Sequence, residues 1–229
     1  MKPFMGALAL AFVATTARAQ VAGHLPENSP YRDLEASQEI SFFGGHFSPG
    51  QDPLGVAPRG GPMYGLRYEI HVGGPAFLMA RFAHVNSERF PIDPTKSGAA
   101  SKLPKQNVSL NLVDVNLVIS LTGEKSFHHI IPVINMGAGI ASCNCTVKPD
   151  PYSFGTPFAF SFGGGLRFVP GGRFQLRADW GDYLYQLKYP NAYYLTPTNG
   201  TAAAGSAQAK SFWKNNRALT LGASLLFFR

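Results

Sequence analysis

Residues 113–121 read Val-Asp-Val-Asn-Leu-Val-Ile-Ser-Leu. Every second side chain from Val113 is large and apolar, and between them stand Asp114, Asn116, Val118 and Ser120. A period of two puts successive side chains on opposite faces of an extended strand. The same period recurs along the chain, while helical spacing is scarce and Gly and Pro punctuate the rest. Strands are predicted at 38–48, 62–72, 76–87, 107–121, 129–141, 157–168, 172–187 and 214–228.

The eight strands are joined unequally. Strands two and three, four and five, and six and seven meet through short turns: Gly73–Pro75, the stretch Thr-Gly-Glu-Lys-Ser-Phe-His, and Val169–Gly172. The other connections, 49–61, 88–106, 142–156 and 188–213, are long and rich in Pro, Gly, Ser, Asn and Ala, and the last reads as exposed and mobile. Short and long alternate. In an up-and-down antiparallel sheet, alternate connections lie at the same end, so one end carries tight turns and the other large loops. A soluble meander has no reason to sort its loops so; a transmembrane barrel does.

The two faces of the strands differ in kind. Leu66, Tyr68 and Ile70, then Val113 to Leu121, then Phe158, Phe160, Phe162, Leu166 and Phe168 form nearly unbroken apolar faces. The opposite faces mix glycine with charge: Arg67, Glu69, Arg81, Asp114, Arg167, Arg177 and Asp179. Eight strands close a barrel whose interior is only wide enough for side chains. Turned inward, the four bases and three acids of that set need partners, so they are expected to pair and plug the lumen. Strand seven departs from the pattern. Strict alternation would turn Asp182 towards lipid and Tyr183 and Tyr185 inward. A bulge near Gly181 would reverse the parity and set Tyr183, Tyr185 and Tyr189 outside in an aromatic girdle, with Trp213 and Tyr64. The bulge is the expectation.

The N-terminus has the secretory pattern: Lys2, an apolar run from Phe4 to Val13 too short to span a bilayer as a helix, and Ala17-Arg18-Ala19 for cleavage. Residues 1–19 are thus expected to be a signal peptide, 20–37 a periplasmic segment and 38–229 the barrel. Removing the signal takes Lys2 and Arg18 away and leaves 18 basic against 13 acidic side chains, a net charge of about +5. An exported basic chain has anionic lipid or polysaccharide, not nucleic acid, as its natural partner. The only cysteines, Cys143 and Cys145, read as an incidental loop pair, since a bridge over one intervening residue is expected to be strained.

Taken together, residues 38–229 resemble the small eight-stranded bacterial outer-membrane β-barrel superfamily. The closing stretch Leu-Thr-Leu-Gly-Ala-Ser-Leu-Leu-Phe-Phe-Arg resembles that group's C-terminal signature, with Phe228 penultimate and Arg229 last. The resemblance implies an all-β, antiparallel, up-and-down barrel in the cell outer membrane. Its turns would be periplasmic and its loops external. Its partners would be outer-membrane lipids, lipopolysaccharide or an equivalent, and the barrel insertion machinery. The resemblance implies location far better than activity.

Candidate chemistry is sparse. Arg81 to Phe90 resembles lipid A deacylases, whose His and nucleophilic Ser sit two apart on a strand. Two residues beyond His84, however, stands Asn86. Ser87 falls on the opposite face from His84, beyond the hydrogen-bond reach such a pair needs. His128 and His129 fall in a predicted turn without further metal ligands. No enzyme, cofactor or metal is expected. The expected function is a structural or interaction barrel with a charge-plugged lumen that displays loops to an unknown partner. The alternatives are a narrow pore or small-ligand barrel and, last, a deacylase-like surface hydrolase.

Overall fold

A computed structural model describes residues 29–34, 37–196, 200, 202–205 and 207–227. The expected signal peptide, residues 20–28 of the expected periplasmic segment, and the terminal Phe228 and Arg229 lie outside the described residues. Ten strands are present: β1 (Tyr31–Asp33), β2 (Gln38–Pro49), β3 (Gly61–Gly73), β4 (Ala76–Arg89), β5 (Gln106–Ser120), β6 (Lys125–Phe127), β7 (Ile130–Asn144), β8 (Phe158–Gly171), β9 (Phe174–Lys188) and β10 (Ser211–Phe227). Eight of them, all but β1 and β6, pair antiparallel in the order β2-β3-β4-β5-β7-β8-β9-β10, and β10 pairs back onto β2. The sheet is therefore a closed barrel with no free edge, and every strand in it satisfies its backbone groups sideways. Among the described residues no helix is long and apolar enough to cross a membrane.

The two small strands were not legible as strands. β6 lies within the stretch read as a turn, and β1 lies in the segment read as a periplasmic extension. They pair antiparallel, Tyr31 opposite Phe127 and Asp33 opposite Lys125, beside the barrel's turn end. The tight turns rest on residues in the left-handed region: Gly74 and Gly172, at φ 53° and 72°, conformations that glycine adopts without a Cβ penalty.

The register settles strand seven. β9 pairs with β10 without interruption from Lys188–Ser211 to Phe174–Leu225, and with β8 from Tyr185–Ala159 to Leu176–Phe168. There is no bulge at Gly181, and the expected outward tyrosines are corrected: Tyr183, Tyr185 and Tyr189 are buried inside the barrel. Parity was read from the assumption that Asp182 cannot face outward. It takes the outward parity yet is only 3% exposed, lying between Arg217 of β10 and Phe162 of β8 in the register. Tyr64, Trp180 and Trp213 do face outward, each about half exposed.

Outside, the barrel is two-toned. From the turn end upward the surface is apolar: Val113, Val115, Leu117, Met136, Phe162 and Leu221 are all more than two-fifths exposed. Towards the loop end the outward positions become His84, Asn111, Asn107, His46 and Arg217. The outward apolar run of β5, Val113 to Leu121, covers about 20 Å along the axis at a rise of about 3.3 Å per residue and a tilt of about 40°. Monomeric soluble proteins do not expose a continuous apolar band of that size; it matches the lipid-facing band of a transmembrane barrel.

The belt level can be checked. Val115→Arg, in mid-belt, should destabilise the barrel by about 2–4 kcal/mol in urea titrations in lipid vesicles. Asn107→Arg, outward but above the belt, should change it by less than about 0.5 kcal/mol. Equal costs at the two positions would mean that the belt is not where lipid lies.

Candidate functional site

Inside, chemistry is arranged in two storeys, and each follows from what lies outside the same level. In the turn-end half, where the outer face is apolar, the interior holds the charges. All seven predicted residues, Arg67, Glu69, Arg81, Asp114, Arg167, Arg177 and Asp179, turn inward and are buried, none more than 9% exposed. Arg81 lies opposite Asp114 in the β4–β5 register and bonds it from Nε at 3.2 Å and from Nη2 at 3.1 Å. Asn116 donates its amide to the same carboxylate and accepts from Ser161 Oγ of β8 at 2.7 Å. The other five form a second group. Arg67 of β3 bonds Asp179 of β9 at 2.6 Å, Asp179 accepts from Arg177 Nε at 2.8 Å, and Glu69 accepts from both Arg177 and Arg167.

The second group crosses the lumen. Glu69 on β3 and Arg167 on β8 stand four strands apart in a barrel of eight, which is diametrically opposite. Sequence reasoning missed one member, Glu39 of β2. Its carboxylate lies 3.4 Å from Arg167 and 3.8 Å from Arg177, and accepts from Gln175, Ser41 and Ser224. The signal was in the count: four inward bases against three acids asked for one more acid. With Glu39 the turn-end half of the lumen holds four arginines and four carboxylates, and their charges balance. Three of these guanidinium groups also lie over aromatic rings, Arg67 over Phe43 at 4.8 Å, Arg81 over Tyr183 at 5.0 Å and Arg167 over Phe77 at 5.0 Å.

Glycine makes this room. Gly139 is the register partner of Asp114, and a Cβ there would sit 2.6 Å from the Asp114 Cβ. Gly165 is the partner of Asp179, and a Cβ there would sit 2.3 Å from its Oδ1. Each acid leans into space that its neighbour's missing side chain leaves open.

In the loop-end half, where outward His84, Asn111 and Arg217 stand among exposed aromatics such as Phe158, Phe160 and Trp213, the interior is apolar. Phe43, Phe47, Leu110, Leu112, Tyr183, Tyr185 and Leu187 fill it, and loop residues Val56, Ile92, Tyr152, Phe154, Tyr193 and Ala204 pack onto them. The expectation of exposed, mobile loops is corrected to that extent. A lumen polar throughout is not found either, because above the belt the outside is no longer lipid and the ordinary soluble rule returns.

One buried ion pair knits the four long loops together. Arg89, at the end of β4 and fully buried, bonds Asp150 of the third loop, the carbonyl of Val56 in the first at 2.9 Å and the carbonyl of Cys145 in the third. Asp150 also accepts from the Ile92 amide of the second loop at 3.1 Å, from the Tyr152 amide at 2.9 Å, and from the Tyr193 hydroxyl of the fourth. Burial, and next the bond to Asp150, push the Tyr193 hydroxyl far above the ordinary tyrosine range, so it stays a donor. Asp52 repeats the device on a smaller scale, accepting from Tyr189 and from the Leu54 amide at 3.2 Å. Cys143 and Cys145 are joined by a disulfide, with Cα atoms 5.2 Å apart. The sequence left open whether this loop pair is bridged; residues i and i+2 of an extended segment project to the same face, which brings the two sulfurs together.

The remaining candidates stand apart. His84 faces outward and its Nδ1 contacts Asn111 Oδ1 at 2.7 Å, while Ser87 faces inward and donates to the Arg59 carbonyl at 2.6 Å. They are on opposite faces of β4, so the geometry of a Ser–His pair does not arise. His128 and His129 occupy a turn at φ 47° and 66°, and His129 Nδ1 contacts the Val169 carbonyl at 2.9 Å. Among the described residues no cluster of three or more metal-ligating side chains occurs.

No protein-family model and no curated protein matches the sequence. Solved structures do match in fold. Neisserial surface protein A superposes with a TM-score of 0.53 at 7% identity, over 83% of this chain and 97% of that one. The outer membrane protein OprG from Pseudomonas aeruginosa does so with a TM-score of 0.51 at 10% identity, over 85% and 98%. The chain has the fold of the small eight-stranded outer-membrane β-barrels.

Two substitutions test the two storeys. Asp114→Ala strands Arg81 and should cost about 3–5 kcal/mol in the dry part of the lumen. Adding Arg81→Met should recover more than half of that loss, and a double variant no better than the single one would show that the pair is not the unit. Asp150→Ala releases the four loops together. Trypsin should then cut at Arg59, Lys96, Lys102 and Lys210 of the first, second and fourth loops at least tenfold faster, while the heat-dependent gel shift of the folded barrel persists.

Proposed function

We propose that this chain is an outer-membrane barrel of the structural or interaction kind. The turn end faces the periplasm, the lumen is closed to flow, and the loop cap is the surface offered to the outside. The observation that carries the reading is the ion-pair group of three arginines and three carboxylates that reaches from β3 to β8 across the lumen, with the Arg81–Asp114 pair beside it. A pore needs an unobstructed path with ligands weak enough to let ions leave; here each arginine is already met by a carboxylate. The Arg89–Asp150 hub closes the other end by holding all four loops on the apolar upper interior.

The belt meets membrane lipids, and the polar band above it, with His84, Asn111 and Arg217 facing out, stands at the level of lipopolysaccharide headgroups. The C-terminal strand, with Leu219, Leu221, Leu225 and Phe227 outward, is the segment that insertion machinery would engage. The separation of His84 and Ser87 on opposite faces supports a non-enzymatic role over a deacylase.

Purified barrel in planar bilayers should give no steady conductance, and the protein in cells should sediment with outer membranes and show heat-dependent migration. Steady single-channel steps would overturn the closed lumen; release with the soluble periplasm would overturn the membrane assignment.

A further inference from the structure

The turn end of the lumen is not filled. Below the ion-pair network lies a cavity of about 870 Å³, open to solvent on the turn side. Its inner end is set by Glu39, Glu69 and Arg167, two carboxylates sharing one lining guanidinium. One wall is apolar: Leu34, Phe77, Ile131 and Val169 line it. Its rim carries Arg32 from β1 and Arg173 from the β8–β9 turn. The acid nearest to them in the rim, Asp33, is taken by Lys125 at 3.5 Å. Neither Arg32 nor Arg173 has an ion-pair partner among the described residues.

This is a blind pocket of the size that small-molecule sites have, about 300–1,000 Å³. Apolar walls give water too few partners to hold it well. A ligand that removes Phe77, Ile131 and Val169 from water gains on the order of 25 cal/mol per Å² covered. The two rim arginines select the sign of its polar end, and guanidinium groups suit planar or tetrahedral oxyanions. The inner end presents two carboxylates whose one lining base is already shared between them, so an anionic head is held at the rim and the tail points in.

We propose that the turn-end mouth of this barrel is a binding site for a single-chain amphiphile with an anionic head, a carboxylate or phosphate, its tail inserted against Phe77, Ile131 and Val169 and its head held by Arg32 and Arg173. This gives β1 and its partner β6 a role, since they carry Arg32 and Leu34 to the rim of the mouth. The site rests on the closed lumen proposed above, since a barrel open from end to end would have a passage here and not a pocket.

Radiolabelled octanoate, in equilibrium dialysis against the barrel in lipid nanodiscs, tests this, with empty nanodiscs as the reference. Binding should show a saturable component that empty nanodiscs lack. Octyl phosphate should compete with it, and octylammonium should not. Arg32→Glu combined with Arg173→Glu should raise Kd at least tenfold, and Ile131→Trp should abolish the saturable component by filling the wall. Both arginines are exposed, so the double rim variant keeps its fold and carries the test even where the Trp variant does not; the heat-dependent gel shift confirms folding. Absence of a saturable component, an unchanged Kd in the rim variant, or equal competition by octylammonium would overturn the proposal. A barrel that stays electrically silent yet fails to bind octanoate would sink the pocket alone, whereas one that conducts would sink the closed lumen first.

Discussion

A charge inside so narrow a barrel has to meet its partner across the lumen. Eight strands leave an interior that side chains fill, and an unpaired guanidinium or carboxylate there would carry a desolvation cost of several kcal/mol. The chain answers with four arginines and four acids. Much else follows from that pairing. Gly139 and Gly165 lack side chains because Asp114 and Asp179 lean over them. Glu39 stands on β2 because Arg67, Arg167 and Arg177 carry three positive charges and Glu69 and Asp179 only two negative ones. The phenyl rings of Phe43 and Phe77 cover the guanidinium faces that the carboxylates leave open.

The barrel reverses its polarity once along its axis. At the turn end the outside is apolar and the inside charged; at the loop end the outside mixes polar with aromatic side chains and the inside is apolar. One rule accounts for both: a face matches the solvent it meets, and the interior takes whatever the strand alternation leaves. β9 shows the change within a single strand. Its inward residues run Gln175, Arg177 and Asp179, and then Tyr183, Tyr185 and Leu187, while the outward positions run from Leu176 and Trp180 to Asp182, Leu184 and Gln186. The upper half is in effect a small soluble core whose lid is the four loops. The Arg89–Asp150 pair can be buried there because the loops supply backbone and hydroxyl partners to its remaining donors and acceptors.

Alternation along the strands and the strict sorting of short and long connections determined the architecture from the sequence alone. Val113 to Leu121 could be read as one strand with a lipid face because period two needs no tertiary knowledge, and the seven lumen charges followed from the same parity. Only the closed structure decided the rest. Parity says that Arg67 and Asp179 both face in; it does not say that β3 and β9 bring them within 2.6 Å. Which strands face each other across the lumen depends on the register of every pairing around it. Tyr183 and Tyr185 were misplaced because alternation is silent about where along the axis lipid gives way to water. Arg89 and Asp150, 61 residues apart in the chain, carry no mutual signal in the sequence. Their contact exists only after four loops of unequal length have folded over one mouth, and the cost of burying either charge alone is what holds that arrangement together.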